Sequence, residues 1–187
     1  MIREYRRHLP HIDAPGTSVF VTWRLAGTIP SGRGFSHETI CTGKQFVAYD
    51  RTLDGARYGP RYLANPSVAA AVVERLLGAE RENLCKLDSF VVMPNHVHVL
   101  WTPITSLPRL VRLVKGATAR TANQILLREG RFWQREYFDR SVRNEKEHRR
   151  ICRYIERNPV QAGLCATPEA WRWSSAGRGV SFKAHAG

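Results

Sequence analysis

Pro94-Asn95-His96-Val97-His98-Val99-Leu100-Trp101 opens with turn chemistry and then alternates its side chains with a period of two. Successive side chains of a β-strand leave opposite faces, so His96 and His98 project together while Val97, Val99 and Trp101 project the other way. The apolar run Leu87 to Met93 precedes the Pro94-Asn95 turn, which makes the two segments a β-hairpin whose return strand begins with the histidines. A strand that gives one face to apolar residues and the other to two imidazoles is built to bind a metal or to meet polar neighbours. The pattern alone does not decide between them.

A second stretch, Arg153-Tyr154-Ile155-Glu156-Arg157-Asn158-Pro159-Val160, adds the missing chemistry. Positions four apart share a helical face, so the Tyr154 phenol and the Asn158 amide project together. A helix laying that face over the histidines assembles two imidazole nitrogens, an amide oxygen and a phenol, the components of a metal-assisted nucleophilic site. Asn144 is placed to cap this helix, with Glu147 completing a capping box. Glu147 is also seven residues before Tyr154 on the same stripe, which leaves a ligand or proton-acceptor role open. His148, Ile151, Cys152 and Ile155 form the expected buried face. Pro159 is expected to end the helix, leaving Asn158 as its frayed last position.

Thr17 to Leu25 is rich in β-branched and aromatic residues and reads as the first strand. Phe46, Tyr49, Asp50 and Leu53 fall at helical spacing within 45–53. Asn65-Pro66-Ser67 starts a helix over about 66 to 82. Ser106 is placed to cap another, running to about Arg128, with an apolar stripe of Leu110, Val114, Ala117, Thr121 and Ile125. Its other side carries Arg109, Arg112, Lys115 and Arg120, which is either a solvated basic face or a row of phosphate contacts. Residues 132–142 read as a strand or an extended aromatic segment. Strand, helix, hairpin, helix, strand and helix in one domain indicate an α+β, ferredoxin-like antiparallel sheet with helices packed on one face. The organisation expected is a basic N-terminal arm over 1–16, one domain over 17–165, and a basic C-terminal tail over 166–187.

The 187 residues are 43% hydrophobic, enough for one ordinary core. Lys and Arg outnumber Asp and Glu by 29 to 16, a net charge of +13, which favours a polyanionic partner, nucleic acid first. No apolar run approaches the ~20 residues that span a bilayer, and the basic start lacks the apolar segment of a signal peptide. A cytoplasmic protein with no membrane partner is expected. Cys41, Cys85, Cys152 and Cys165 show no zinc-site spacing and read as free thiols. No phosphate loop or dinucleotide fingerprint is present, so no nucleotide cofactor is expected.

Val91-Val92-Met93-Pro94-Asn95-His96-Val97-His98, Trp133-Gln134-Arg135 and Tyr154 through Leu164 resemble the REP-associated tyrosine transposases, a family of single-tyrosine HUH endonucleases. The resemblance extends to Phe20 through Arg24, Gly59 through Leu63 and Trp173-Ser174-Ser175. It implies that His96 and His98 are the family's histidine pair, Tyr154 its nucleophile and Asn158 the polar residue completing a site for Mg²⁺ or Mn²⁺. It also implies cleavage and rejoining of single-stranded or hairpin DNA through a 5′-phosphotyrosine, by a monomer or homodimer.

An unperturbed phenol ionises near pH ~10, so attack requires a nearby cation or a base; Arg150 and Arg157 are the adjacent positive side chains. Trp133, Trp171 and Trp173 are the aromatics expected to stack on unpaired bases. Two other readings stay open at the level of sequence: a non-catalytic basic nucleic-acid-binding protein on the same fold, and a zinc hydrolase, for which a third strong ligand is missing.

Overall fold

Hydrophobic alternation in three segments builds a sheet with two differently used faces. The computed structural model describes residues 3–6, 10–13, 15–28, 52–53 and 59–178. The chain forms β1 (Arg3–Arg6), β2 (Pro10–Asp13), β3 (Val19–Arg24), α1 (Pro66–Arg81), β4 (Cys85–Val92), β5 (His96–Pro103), α2 (Leu107–Ile125), β6 (Phe138–Ser141) and α3 (Glu145–Gln161). β1 and β2 pair as a separate antiparallel ribbon within the expected arm. The other four strands form one antiparallel sheet in the order β4-β5-β3-β6. From β3 to β6 the elements run strand, helix, hairpin, helix, strand, the ferredoxin-like order. The helix expected over 45–53 lies outside the described residues except for Thr52 and Leu53, which are helical.

In register, Val21 faces Val99, Thr22 faces His98 and Arg24 faces His96. One sheet face therefore carries Val19, Val21, Trp23, Val97, Val99 and Trp101, all buried under α1 and α2. Trp23 stacks on Trp101 with ring centroids 6.0 Å apart. α1 starts as its sequence dictates: Asn65 Oδ1 accepts from the Ser67 and Val68 amides, and Pro66 occupies the first turn. Ser106 occupies the cap position of α2 but makes no side-chain cap bond.

The opposite face carries Phe20, Val91, Met93 and Leu100, and α3 buries Ile151, Cys152 and Ile155 against it. The expectation that all helices share one face thus holds for the two crossover helices and not for α3. An amphipathic stripe specifies that a helix buries one side, but either face of this sheet offers it an apolar partner.

The buried stripe of α2 also differs from expectation. It is Leu107, Leu110, Val111, Val114, Thr118 and Ala122, whereas Thr121 and Ile125 are exposed. Thr118 is tolerated in the core because its hydroxyl donates to the Val114 carbonyl at 2.7 Å and accepts from Trp133 Nε1 at 3.0 Å.

Past the end of β6, residues 132–134 continue the pairing along β3: the Ala26 amide donates to the Phe132 carbonyl and the Gln134 amide to the Arg24 carbonyl. At the β4 edge, the segment expected to begin a tail is seated on the sheet: the Val92 amide donates to the Trp173 carbonyl and the Ser175 amide to the Phe90 carbonyl. Cys85, Cys152 and Cys165 are free, and burial pushes the Cys85 and Cys152 thiols up to about 12. Among the described residues, no helix is long and apolar enough to cross a membrane.

Candidate active site

The Pro94-Asn95 turn is pinned from three sides before β5 begins. Its carbonyls accept from the Leu63 and Leu25 amides, and the Met93 amide closes the hairpin on the His96 carbonyl at 2.9 Å. Period-two alternation then places His96 and His98 on the α3 side of the sheet, both fully buried, with their Nε2 atoms 3.1 Å apart.

The hydrogen bonds behind them set the chemistry of the pair. Asn95 Nδ2 donates to the Leu53 carbonyl at 2.8 Å, which turns Asn95 Oδ1 toward His96 Nδ1 at 2.6 Å. An amide oxygen only accepts, so His96 carries its proton on Nδ1 and, when neutral, has a lone pair on Nε2. His98 Nδ1 meets the Thr22 hydroxyl at 2.7 Å. Phe20 stacks on the His98 ring with centroids 5.6 Å apart. Each imidazole is thus held from behind at Nδ1, the arrangement that orients histidine ligands toward a cation.

α3 brings the second half of the constellation. The Tyr154 ring lies 5.9 Å from that of His98 and 6.3 Å, edge-on, from that of Phe20. Asn158 is fully buried, with Nδ2 3.5 Å from His98 Nε2. Rotation of the amide exchanges its nitrogen and oxygen, so the same side chain can turn Oδ1 toward the histidines. Asn158 is not the frayed end the sequence suggested. The helix continues through the buried Pro159 to Gln161, and the Ala162 and Leu164 amides close it on the Asn158 and Pro159 carbonyls. Proline removes only its own donor, which α3 tolerates in its last turn.

Two imidazole nitrogens, whose Nε2 atoms face each other at 3.1 Å, and an amide that can turn its oxygen toward them are donor types that a divalent ion accepts. Among the described residues, no group of three His, Cys, Asp or Glu side chains converges to hold a metal. Such an ion would be held by His96, His98 and Asn158, with its remaining positions left to water or substrate oxygen.

Glu147 does not belong to this set. Asn144 Oδ1 accepts from the Glu147 amide at 2.9 Å, the first half of a capping box. The Glu147 carboxylate reaches one residue beyond the cap to the Arg143 amide at 3.0 Å and pairs with Arg140 at 2.6 Å. Its charge fixes the start of α3 to β6. His148 is half-buried and meets Asp88, the extra residue of a β-bulge in β4, at 3.3 Å.

The expected DNA contacts divide. Arg109, Arg112, Arg120 and Arg157 are exposed, and Arg150 is 3.6 Å from Glu147 while remaining 73% exposed. Lys115 is not a solvated cation: its Nζ donates to the carbonyls of Gln134 at 2.8 Å and Arg135 at 3.0 Å, and burial lowers its pKa to about 8. Trp133 is a core residue, 5% exposed and packed edge-on against Trp23. Trp171 donates Nε1 to the Val92 carbonyl at 3.0 Å, and Trp173 lies partly buried under the Arg172 guanidinium. Thr22, Phe20 and the orienting role of Asn95 were not foreseen. The signal for Thr22 lies in the register that sets it opposite His98.

The chain is thus a ferredoxin-like α+β protein with a tyrosine helix lying across a buried histidine pair. Residues 58–158 match the family model "Transposase IS200 like", and the chain belongs to that family. It is 26% identical over 108 residues to the REP-associated tyrosine transposase of Escherichia coli K12, an alignment covering 57% of this chain and 63% of that protein. It is 30% identical over 98 residues to an uncharacterized protein of Haemophilus influenzae, covering 40% of this chain and 54% of that one. The matches thus span less than two thirds of these relatives. The solved structure of a REP-associated tyrosine transposase bound to a REP hairpin shares the fold, with a TM-score of 0.60 at 20% identity over 95% of this chain and 85% of that one.

Proposed function

We propose that this protein cleaves and rejoins single-stranded DNA beside hairpin sequences, with Tyr154 as the nucleophile. The observation that carries the reading is the meeting of α3 and β5: the Tyr154 phenol and the Asn158 amide share one sheet face with two oriented imidazoles, the rings of Tyr154 and His98 5.9 Å apart. Family membership and a net charge of +13 support the same substrate class.

A divalent ion, Mg²⁺ or Mn²⁺, held by His96, His98 and Asn158 would supply Lewis acidity at a non-bridging phosphate oxygen. The protein's own residues do the rest. Asn95 and Thr22 hold the imidazoles in place from behind. Phe20 supports the Tyr154 ring edge-on, so the phenol is presented from a packed helix rather than from a loop. The Tyr154 oxygen bonds to phosphorus as the bond from phosphorus to the 3′-oxygen breaks. The phenolic proton is lost and the departing 3′-oxygen gains one, leaving a 5′-phosphotyrosyl adduct and a free 3′-hydroxyl. Attack on that adduct by another 3′-hydroxyl reverses the step and joins strands without a nucleotide cofactor. The exposed Arg150 and Arg157 flank Tyr154 in sequence and favour an anionic strand there.

Cleavage of a labelled hairpin oligonucleotide in Mn²⁺ tests the proposal against the non-catalytic binding reading. His96→Ala is expected to abolish cleavage while retaining most DNA affinity. Wild-type protein that binds the oligonucleotide without cutting it, with affinity indifferent to chelator, would favour the binding protein. A bound equivalent of zinc surviving dialysis would favour the hydrolase.

A further inference from the structure

The histidine face of β3 carries a charged residue that the chemistry above leaves unused. Alternation puts Phe20, Thr22 and Arg24 in one row, and the strand register sets them opposite Leu100, His98 and His96. Phe20 and Thr22 both serve the pair, one as a ring stacked on His98 and the other as its hydroxyl partner. Arg24 is the third of the row. Side chains directly opposite in a sheet start about 5 Å apart, so a side chain of arginine's length begins beside His96 and can reach past its ring.

Arg24 is held firmly at its backbone and at one end of its guanidinium. The Gln134 amide donates to the Arg24 carbonyl at 2.8 Å, and the Leu25 amide that follows donates to the Asn95 carbonyl at 2.8 Å. Nη1 donates to the Thr28 hydroxyl at 2.8 Å, and buried Thr28 donates onward to the Leu25 carbonyl at 3.0 Å. That anchor carries no charge. Arg75 and Arg140 each pair with a glutamate, whereas no carboxylate among the described residues pairs with Arg24, and its buried Nε makes no hydrogen bond.

A charged N–H closed off from water without an acceptor is unfavourable, and native proteins keep few of them outside functional sites. With Nη1 taken by Thr28, the edge formed by Nε and Nη2 remains, and such an edge grips two oxygens of one phosphate. The charge balance of the site points to the same ligand. His96, His98 and Asn158 are uncharged as ligands, so nothing in that set offsets the guanidinium. A phosphodiester carries one negative charge, which grows as the phenol oxygen bonds to phosphorus, and a fixed cation beside it is worth most at that point.

We propose that Arg24 is a further catalytic residue: its guanidinium turns the Nε–Nη2 edge onto the scissile phosphate and stabilises the negative charge that builds there during attack by Tyr154. The assignment rests on the function proposed above. Arg24 stays protonated throughout, so the proton balance of that step is unchanged.

Arg24→Gln and Arg24→Lys in the full chain separate this role from a structural one. Arg24→Gln is expected to slow single-turnover adduct formation on a saturating hairpin oligonucleotide about 100-fold. Its Mn²⁺ affinity without DNA is expected to stay level or rise, because a neighbouring positive charge has gone. Arg24→Lys retains the charge without the fork and is expected to recover part of the rate. The contact itself is read from the Arg24 Nε–H signal in ¹H–¹⁵N spectra, assigned by its loss in Arg24→Lys and expected to shift as dimethyl phosphate is added to the wild type. Should Arg24→Gln fail to fold, that wild-type signal decides alone. A wild-type rate in Arg24→Gln, or an Nε–H signal that dimethyl phosphate leaves in place, would overturn the assignment. So would a loss of Mn²⁺ affinity in Arg24→Gln as large as its loss of rate, which would make Arg24 a support of the metal ligands. A signal that moves in a wild type forming no adduct would retain the phosphate contact and remove the nuclease reading; an adduct with an unmoved signal would do the reverse.

Discussion

Thr22→Val removes the hydroxyl that meets His98 Nδ1 at 2.7 Å and replaces it with a methyl of similar size. Thr22 is 3% exposed and His98 fully buried, so no bulk water takes the lost place. Stripping one partner from a buried polar group costs about 1 to 3 kcal/mol. At this chain length, each kcal/mol corresponds to a drop of about 2 to 4 °C in melting temperature, so a fall of roughly 2 to 12 °C is expected in metal-free protein. The same change releases the orientation of His98, and loss of such an outer partner typically costs about 10- to 100-fold in metal affinity. Free Mn²⁺ measured by electron paramagnetic resonance during titration reads the second effect independently of any reaction. Thr22→Ser retains the hydroxyl and is expected to recover most of the affinity. Wild-type Mn²⁺ affinity and melting temperature in Thr22→Val would refute the claim that Thr22 orients the pair.

Three further outcomes follow from the packing. Asn144→Ala removes the cap on α3 and is expected to cost about 1 kcal/mol in urea unfolding, read most simply as a lower midpoint at unchanged slope. Trp133→Ala empties a core position and breaks the Thr118 bond, so a loss of about 3 to 5 kcal/mol is expected; a loss below 1 kcal/mol would return Trp133 to the surface. Burial raises the Cys85 and Cys152 thiols from 9.0 to about 12, so the folded state holds protons that the unfolded state releases. Their contribution to stability is complete below pH 9 and is lost as pH rises toward 12, which a urea series at pH 8 and pH 10.5 checks against the Cys85→Ala, Cys152→Ala double variant.

Local periodicity made much of this molecule legible. Alternation in His96 to Trp101 set the histidine face, four-residue spacing joined Tyr154 to Asn158, and Asn65-Pro66 marked the start of α1. What stayed hidden depends on contacts between distant segments. The stripe of α3 does not say which sheet face it covers, because Phe20 and Leu100 offer one apolar surface and Trp23 and Trp101 another. Thr22 joins the site through strand register, which no spacing within residues 17–25 contains. Local rules make Pro159 a stop because they weigh the restriction proline imposes on its own backbone and not the burial that holds it in the helix. Trp133 has the composition of a stacking platform, and only its bond to Thr118 and its packing on Trp23 place it in the core. Helical spacing groups Lys115 with the exposed arginines and cannot foresee the carbonyls supplied from residues 134–136.

The proposed chemistry requires Tyr154 to become bonded to DNA. Wild-type protein incubated with a hairpin oligonucleotide and Mn²⁺, then digested and mapped by mass spectrometry, is expected to carry a 5′-phosphonucleotide on the peptide containing Tyr154 and to lose it in Tyr154→Phe. An adduct on another tyrosine, or its persistence in Tyr154→Phe, would contradict Tyr154 as the nucleophile.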